Sequence, residues 1–343
     1  MPNSNTYKLP IIVLSILLLL CFFINLSLGS ASIPIDDVFN ALIGKSTSNE
    51  NWQYIVQDYR LPKAITAILV GSGLGISGLL MQTLFRNPLA GPFVLGISSG
   101  ASLGVALVIL GAGFFGASLT ALLISKWSIV IAASLGSFLV LLAVLIVSTR
   151  VRDTMAILII GLMFGSITAA VVSVLSYFAS ADQLQQYMFW GFGSLGNLSW
   201  SELLIFFIIY CFGILLSLVS IKALNTLLLG ENYAKSLGLN IKQSRLLIII
   251  ATSLLAGTTT AFAGPIAFIG LAIPHITRLI FNTSNHKVLL PAVFVLGAIV
   301  MLICDSIAQL PTSDYTLPIN AITSLIGAPV VIWLLVRKRK MVF

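Results

Sequence analysis

Apolar residues in this chain fall into long blocks separated by short polar connections. Windows of about 19 residues, the length that suits a bilayer crossing, predict spanning helices at Leu9–Leu28, Ala64–Leu84, Phe93–Leu110, Trp127–Val147, Met155–Phe178, Leu203–Val219, Leu246–Ala263, Pro265–Phe281, Val288–Ile307 and Leu317–Val336. The expected fold is all-α: a polytopic membrane protein of about ten transmembrane helices, with residues 1–343 forming one domain. The first block exceeds the apolar core of a signal peptide, about 7–15 residues, and only Lys8 precedes it, so an uncleaved helix is expected. The eighth is the least regular, starting at Pro265 and interrupted at Pro274. Two connections are long enough for structure of their own. Between Gly29 and Lys63, the positions Ile35, Val38, Phe39, Leu42 and Ile43 have helical spacing, which predicts an amphipathic surface helix within residues 30–58. Residues 222–245 form the second, and the remaining connections read as tight.

Composition narrows the class. Of 343 residues, 58% are hydrophobic and 8% charged, against about 25% charged in soluble domains, and the mean hydropathy is +1.09. An ordinary soluble enzyme is excluded. A net charge of +8 would suggest nucleic acid in a soluble protein, but position gives another cause. With the N-terminus in the cytoplasm, the inner segments carry Lys8, Arg86, Arg150, Arg152, Lys222, Lys235, Lys242, Arg245, Arg278, Lys287, Arg337, Lys338, Arg339 and Lys340. The outer ones carry only Lys45, Arg60, Lys63 and Lys126, so fourteen of the 18 basic residues are inside, the bias that sets membrane orientation. Asp153 and Glu231 are the inner acids; Asp36, Asp37, Glu50, Asp58, Asp182, Glu202, Asp305 and Asp314 lie at or near the outer face. Membrane lipid is the expected surrounding and no nucleic acid is needed. An even number of spans puts both termini in the cytoplasm.

Catalytic and cofactor chemistry find little purchase. Cys21, Cys211 and Cys304 lie in apolar blocks without metal-ligand or redox spacing, so no metal or cofactor is expected. Gly44-Lys45-Ser46 ends like a P-loop, but Phe39 occupies the place of its first glycine and the segment lies on the outer side, away from ATP. Gly73–Gly78 and Gly111–Gly116 match GxGxxG, yet neither follows a strand. The glycines serve packing instead: Gly71 with Gly75, and Gly96, Gly100 and Gly104, have the four-residue spacing that lets helix backbones approach in lipid. Intramembrane ionisable groups would mark an ion path, but Asp305 and His275 are nearly alone. That weighs against an ion-coupled secondary transporter and against an intramembrane enzyme, which would need a buried cluster of His, Asp or Glu. Pro88, Pro92, Pro265 and Pro274 interrupt corresponding places of spans two to five and seven to ten, the pattern of an inverted repeat.

The segments Tyr59–Lys63, Gly78–Pro92, Leu95–Ala101, Leu228–Gly238, Ala263–Arg278 and Leu325–Pro329 resemble, in order and along nearly the whole chain, the FecCD permeases. These are type II ABC importer subunits for iron chelates, haem and cobalamin. The resemblance implies a ten-helix permease in the bacterial cytoplasmic (inner) membrane that pairs with a second copy of itself. It also implies two copies of a cytoplasmic ATPase and a periplasmic or lipid-anchored substrate-binding protein. It makes Gly230, Glu231, Ala234, Lys235, Leu237 and Gly238 the ATPase-coupling segment, with Glu231 and Lys235 one helical turn apart. Arg60 and Lys63 would meet acidic residues of the binding protein. Many relatives end the ninth span Asp-x-x-Ala-Arg, whereas here Gln309 follows Ala308. The path would run along spans five and ten, past small residues such as Gly161 and Gly165, with a gate near Thr154 and Met155. The expected function is ATP-driven import of a ferric siderophore or related metal chelate, with haem or cobalamin as the alternative cargo and an ion-coupled secondary transporter as the alternative class. The chain itself is not expected to be an enzyme.

Overall fold

The computed structural model describes residues 7–114, 125–150, 154–196, 198–311, 313 and 315–336. Arg152, Asp153, Asp314 and the run Arg337–Lys340 lie outside the described residues. Among those described there is no strand. In chain order the α-helices are α1 (Lys8–Ser27), α2 (Ile35–Leu42), α3 (Glu50–Tyr54), α4 (Leu61–Leu84), α5 (Ile97–Ile109), α6 (Lys126–Arg150), α7 (Thr154–Phe178) and α8 (Ala181–Phe192). They continue as α9 (Trp200–Val219), α10 (Ile221–Leu227), α11 (Glu231–Ser236), α12 (Ile241–Ala263), α13 (Ile269–Phe281), α14 (His286–Ala308) and α15 (Ile319–Val336).

Among the described residues, seven helical segments are long and apolar enough to cross a membrane, including Lys8–Ser27, Trp200–Val219, Ile241–Ala263 and His286–Ala308. The third, eighth and tenth predicted spans form shorter apolar helices, α5, α13 and α15. Prolines shorten two of them: Pro88 and Pro92 precede α5 and Pro265 precedes α13, and a proline can neither donate its backbone N–H nor tolerate the carbonyl four residues back. The second predicted span is longer than expected. Helix α3 passes through a π-helical turn, Ile55–Arg60, directly into α4, so that Glu50–Leu84 is continuous. Pro62 accounts for the widened turn: its ring forces the preceding backbone apart, and Leu61 N–H reaches back five residues to the Val56 carbonyl. The predicted amphipathic surface helix is α2, with Asp36 and Asp37 in its first turn, where carboxylates suit the helix dipole. Helix α8 corrects the expectation that the connection after span five is tight. Ser180 and Gln183 form a capping box at its start, each side chain bonding the other's backbone N–H.

The chain divides into two compact units. Unit 1 comprises Met1–Leu79, Ser194–Ile208 and Ile266–Phe343; unit 2 comprises Leu80–Gly193 and Ile209–Pro265. In unit 1, α4 packs backbone to backbone on α13 and α14: a β-carbon on Gly71 would sit 2.2 Å from the Gly297 carbonyl oxygen, and one on Gly78 1.7 Å from that of Gly270. In unit 2, α5 packs in the same manner on α6, Gly100 against Gly136 and Gly104 against the Ala132 carbonyl. Ala101, Val105, Ala106 and Ile109 of α5 meet Val130 and Ala133 of α6 and Ala261 of α12 in a buried cluster. Close approach of this kind supplies the dispersion contacts that hold helices together in lipid. The glycine spacings of the second and third spans therefore mark their packing faces.

Candidate coupling and docking sites

The predicted coupling segment folds as a short helix framed by two glycines. Gly230 has φ 101° and Gly238 φ 81°, values that L side chains rarely adopt, so the chain enters and leaves α11 by turns that favour glycine. Ala234 is fully buried beneath the helix. The Glu231 carboxylate does not turn to Lys235 as their spacing allows; it accepts a bond from Arg245 Nη2 of α12 at 3.0 Å, and Lys235 stays exposed. A longer-range partner with a guanidinium fork wins over the neighbouring ammonium because the fork matches a carboxylate. Leu229, Tyr233 and Leu237 are each more than half exposed. Spaced by four, they make one apolar stripe along the segment. Beside it lies a cleft of about 650 Å³ lined by Leu84, Arg86, Asn232 and Tyr233. Arg86, itself exposed, holds Nη1 3.6 Å from where a β-carbon on Gly230 would sit. Sequence reasoning missed Arg86, Leu229 and Tyr233, although the four-residue spacing of the apolar stripe was visible in the chain.

The two predicted outer cations are engaged within unit 1. Arg60 Nη1 donates to the carbonyls of Leu26 at 2.8 Å and Ser27 at 2.9 Å, and Nη2 donates to that of Ala31. The guanidinium thus bridges the last turn of α1 to the loop that follows it, sharing the Ser27 carbonyl with Ile33 N–H. Lys63 Nζ lies 3.1 Å from Asp305 Oδ1, whose side chain is 3% exposed. Asp305 Oδ2 also accepts from Asn25 Nδ2 at 2.9 Å and from Gln309 Nε2 at 2.7 Å. This carboxylate therefore ties α1, α4 and the end of α14 together. Gln309 spends its amide on that carboxylate.

Along the predicted path, Thr154 and Met155 open α7, their side chains outside the described residues. Gly161 and Gly165 pack on the start of α5: the Gly161 carbonyl lies 3.3 Å from a β-carbon placed on Gly96, and one placed on Gly165 would be 3.2 Å from Ser99 Oγ. Ser166, Ala169 and Ala170 of the same helix are exposed. Among the described residues, no group of three or more His, Cys, Asp or Glu gathers as metal ligands do.

Long apolar helices joined by glycine packing define a multi-pass membrane protein. The model of the FecCD transport family matches residues 17–337. The vitamin B12 import system permease protein BtuC of Klebsiella pneumoniae subsp. pneumoniae is 38% identical over 330 residues, covering 95% of this chain and 93% of that protein. The hemin transport system permease protein HmuU of Yersinia pestis is 36% identical over 324 residues, covering 94% and 95%. A solved chain assigned to a metal-chelate type ABC transporter, in an inward-facing conformation, matches with a TM-score of 0.81 at 32% identity, over 97% of this chain and 100% of that one. PsaBC from Streptococcus pneumoniae in complex with a Fab, 17% identical with a TM-score of 0.54, shares the fold over 88% of this chain and 95% of that one. The chain belongs to the FecCD transport family and is an ABC importer permease.

Proposed function

We propose that this chain is the transmembrane subunit of an importer that works as a homodimer of ten-span chains in the bacterial inner membrane, both termini cytoplasmic, and moves a ferric siderophore inward. One ATPase docks on α11 of each copy, and a substrate-binding protein, periplasmic or lipid-anchored, delivers the cargo to the opposite face. The observation that carries this reading is the α11 surface: Leu229, Tyr233 and Leu237 exposed beside a cleft, on a chain that matches permease proteins over nearly its whole length. An apolar stripe rimmed by Arg86 and Lys235 suits a groove of a soluble partner better than lipid, because each charge left in hydrocarbon is costly.

On the other face, Arg60 and Lys63 are assigned as contacts for acidic residues of the binding protein, in addition to the bonds they make within the chain, Arg60 to backbone carbonyls and Lys63 to Asp305. The path is assigned to α7 and α15, with Thr154 and Met155 at its gate and Gly161 and Gly165 allowing α7 to lie close to its neighbour. Weak contacts from small uncharged side chains let a bulky chelate leave as well as enter. A second reading, haem or cobalamin as cargo, is favoured by the relatives named for hemin and vitamin B12. Vesicles holding the permease and its ATPase, supplied with the binding protein, separate the cargoes: uptake of a ferric siderophore above that of hemin and cyanocobalamin supports the first reading, and preference for either of the others replaces it.

A further inference from the structure

Four non-glycine residues among those described have positive φ: Arg86, Phe268, Asn282 and Leu310. Phe268 is the most demanding of them, because a bulky aromatic gains nothing locally from that conformation. At φ 65° and ψ −28° it sits at the centre of a three-residue turn closed by Ile269 N–H on the Ala267 carbonyl at 2.8 Å. A γ-turn with positive φ is the rare, strained form, and such strain persists only where the surroundings over-determine it.

The surroundings here are α13 and α15. The Phe268 carbonyl starts α13 by accepting from Leu271 N–H at 3.0 Å and Ala272 N–H at 2.8 Å. Ala267 N–H donates to Asn320 Oδ1 of α15 at 3.0 Å. Seven residues further along α15, a β-carbon on Gly327 would lie 2.4 Å from Phe268 Cβ and 3.3 Å from its Cγ, but 3.6 Å from its Cα. Residues seven apart lie on one face of a helix, two turns from each other. Helix α15 therefore rests on residues 267–268 at two points, a hydrogen bond in its first turn and a glycine two turns on. The start of α5 in unit 2 offers a contrast: there Gly96, φ 78°, takes the positive φ at no steric cost.

We propose that Phe268 is a positioning residue for transport, its strained turn fixing where α15 sits and releasing that helix when the path opens. This rests on the reading that α15 lines the path. Spin labels at Leu279 of α13 and Ile332 of α15, both exposed, report the distance between the two helices in permease diluted with unlabelled chains. Gly327→Ala should shift or broaden that distance, and in the complete transporter it should lower uptake per ATP hydrolysed about fivefold, the lower end of ordinary coupling energies. Phe268→Gly combined with Gly327→Ala should bring the mean distance back, since the methyl then faces an α-carbon at ordinary contact distance, but leave it as broad as in Phe268→Gly alone. A defect of folding alone would lower uptake and hydrolysis together and leave their ratio unchanged. If Gly327→Ala does not fold, Phe268→Gly alone decides, and must broaden the distance. A wild-type distance in Gly327→Ala or in Phe268→Gly, or a double variant as displaced as Gly327→Ala, overturns the proposal. The distance is read without transport, so a wrong assignment of the path would leave it untouched and would show only as unchanged uptake per ATP hydrolysed.

Discussion

The cluster around Asp305 and the helix α11 treat their charged side chains in opposite ways. In the first, every polar group turns inward: Lys63, Asn25 and Gln309 converge on one buried carboxylate, and Arg60 is spent on three backbone carbonyls. In the second, Glu231 is answered by Arg245, while Arg86 and Lys235 stay exposed beside three apolar side chains. A buried charge with its partners holds helices together, and its cost is felt only when a partner is removed. An exposed apolar stripe costs the isolated chain and is repaid when something covers it. Basic residues that look alike in the sequence therefore sit in opposite settings: one set ties helices of the permease together, the other stays open to its surroundings beside an apolar stripe.

The comparison breaks most sharply at Lys63. Replacing it with Met leaves the Asp305 carboxylate buried without a countercharge, and the permease in detergent should lose about 3–5 kcal/mol against thermal unfolding. Lys63→Met with Asp305→Asn should recover much of that loss. Wild-type stability in Lys63→Met would mean that the ammonium is free to serve docking alone. Next in size, Tyr233→Asp should leave thermal unfolding unchanged and weaken ATPase binding about 30-fold, the effect of one interface hot spot; equal binding would remove α11 from the docking surface. The smallest effect belongs to Glu231→Gln. Its ion pair with Arg245 is 36% exposed on the carboxylate side, so screening limits the loss to about 1 kcal/mol, shrinking further in high salt. A loss of the same size at all salt concentrations would mean that the pair is not electrostatic in effect.

Most of the helical framework was legible because hydropathy and glycine spacing report on lipid and on helix contact directly. Gly71, Gly100 and Gly104 meet their neighbours at the closeness their spacing implied. Helix α8 was missed although Ser180 and Gln183 announce its start, because mixed polarity between two apolar blocks reads as a loop. What could not be read were choices among equally eligible partners. Glu231 stands one turn from Lys235 yet bonds Arg245, and Arg60 faces carbonyls 29–34 positions away in the chain. Phe268 was hidden for a different reason: its strain is imposed by α15, and no local preference signals it.

The central claim is that this permease draws its energy from a separate ATPase seated on α11. Uptake into sealed vesicles, with and without that ATPase and ATP, tests it most directly. Accumulation only when permease, ATPase, ATP and loaded binding protein are all present, and its loss in Tyr233→Asp, is the predicted result. Uphill accumulation by the permease alone, driven by an ion gradient, would contradict it.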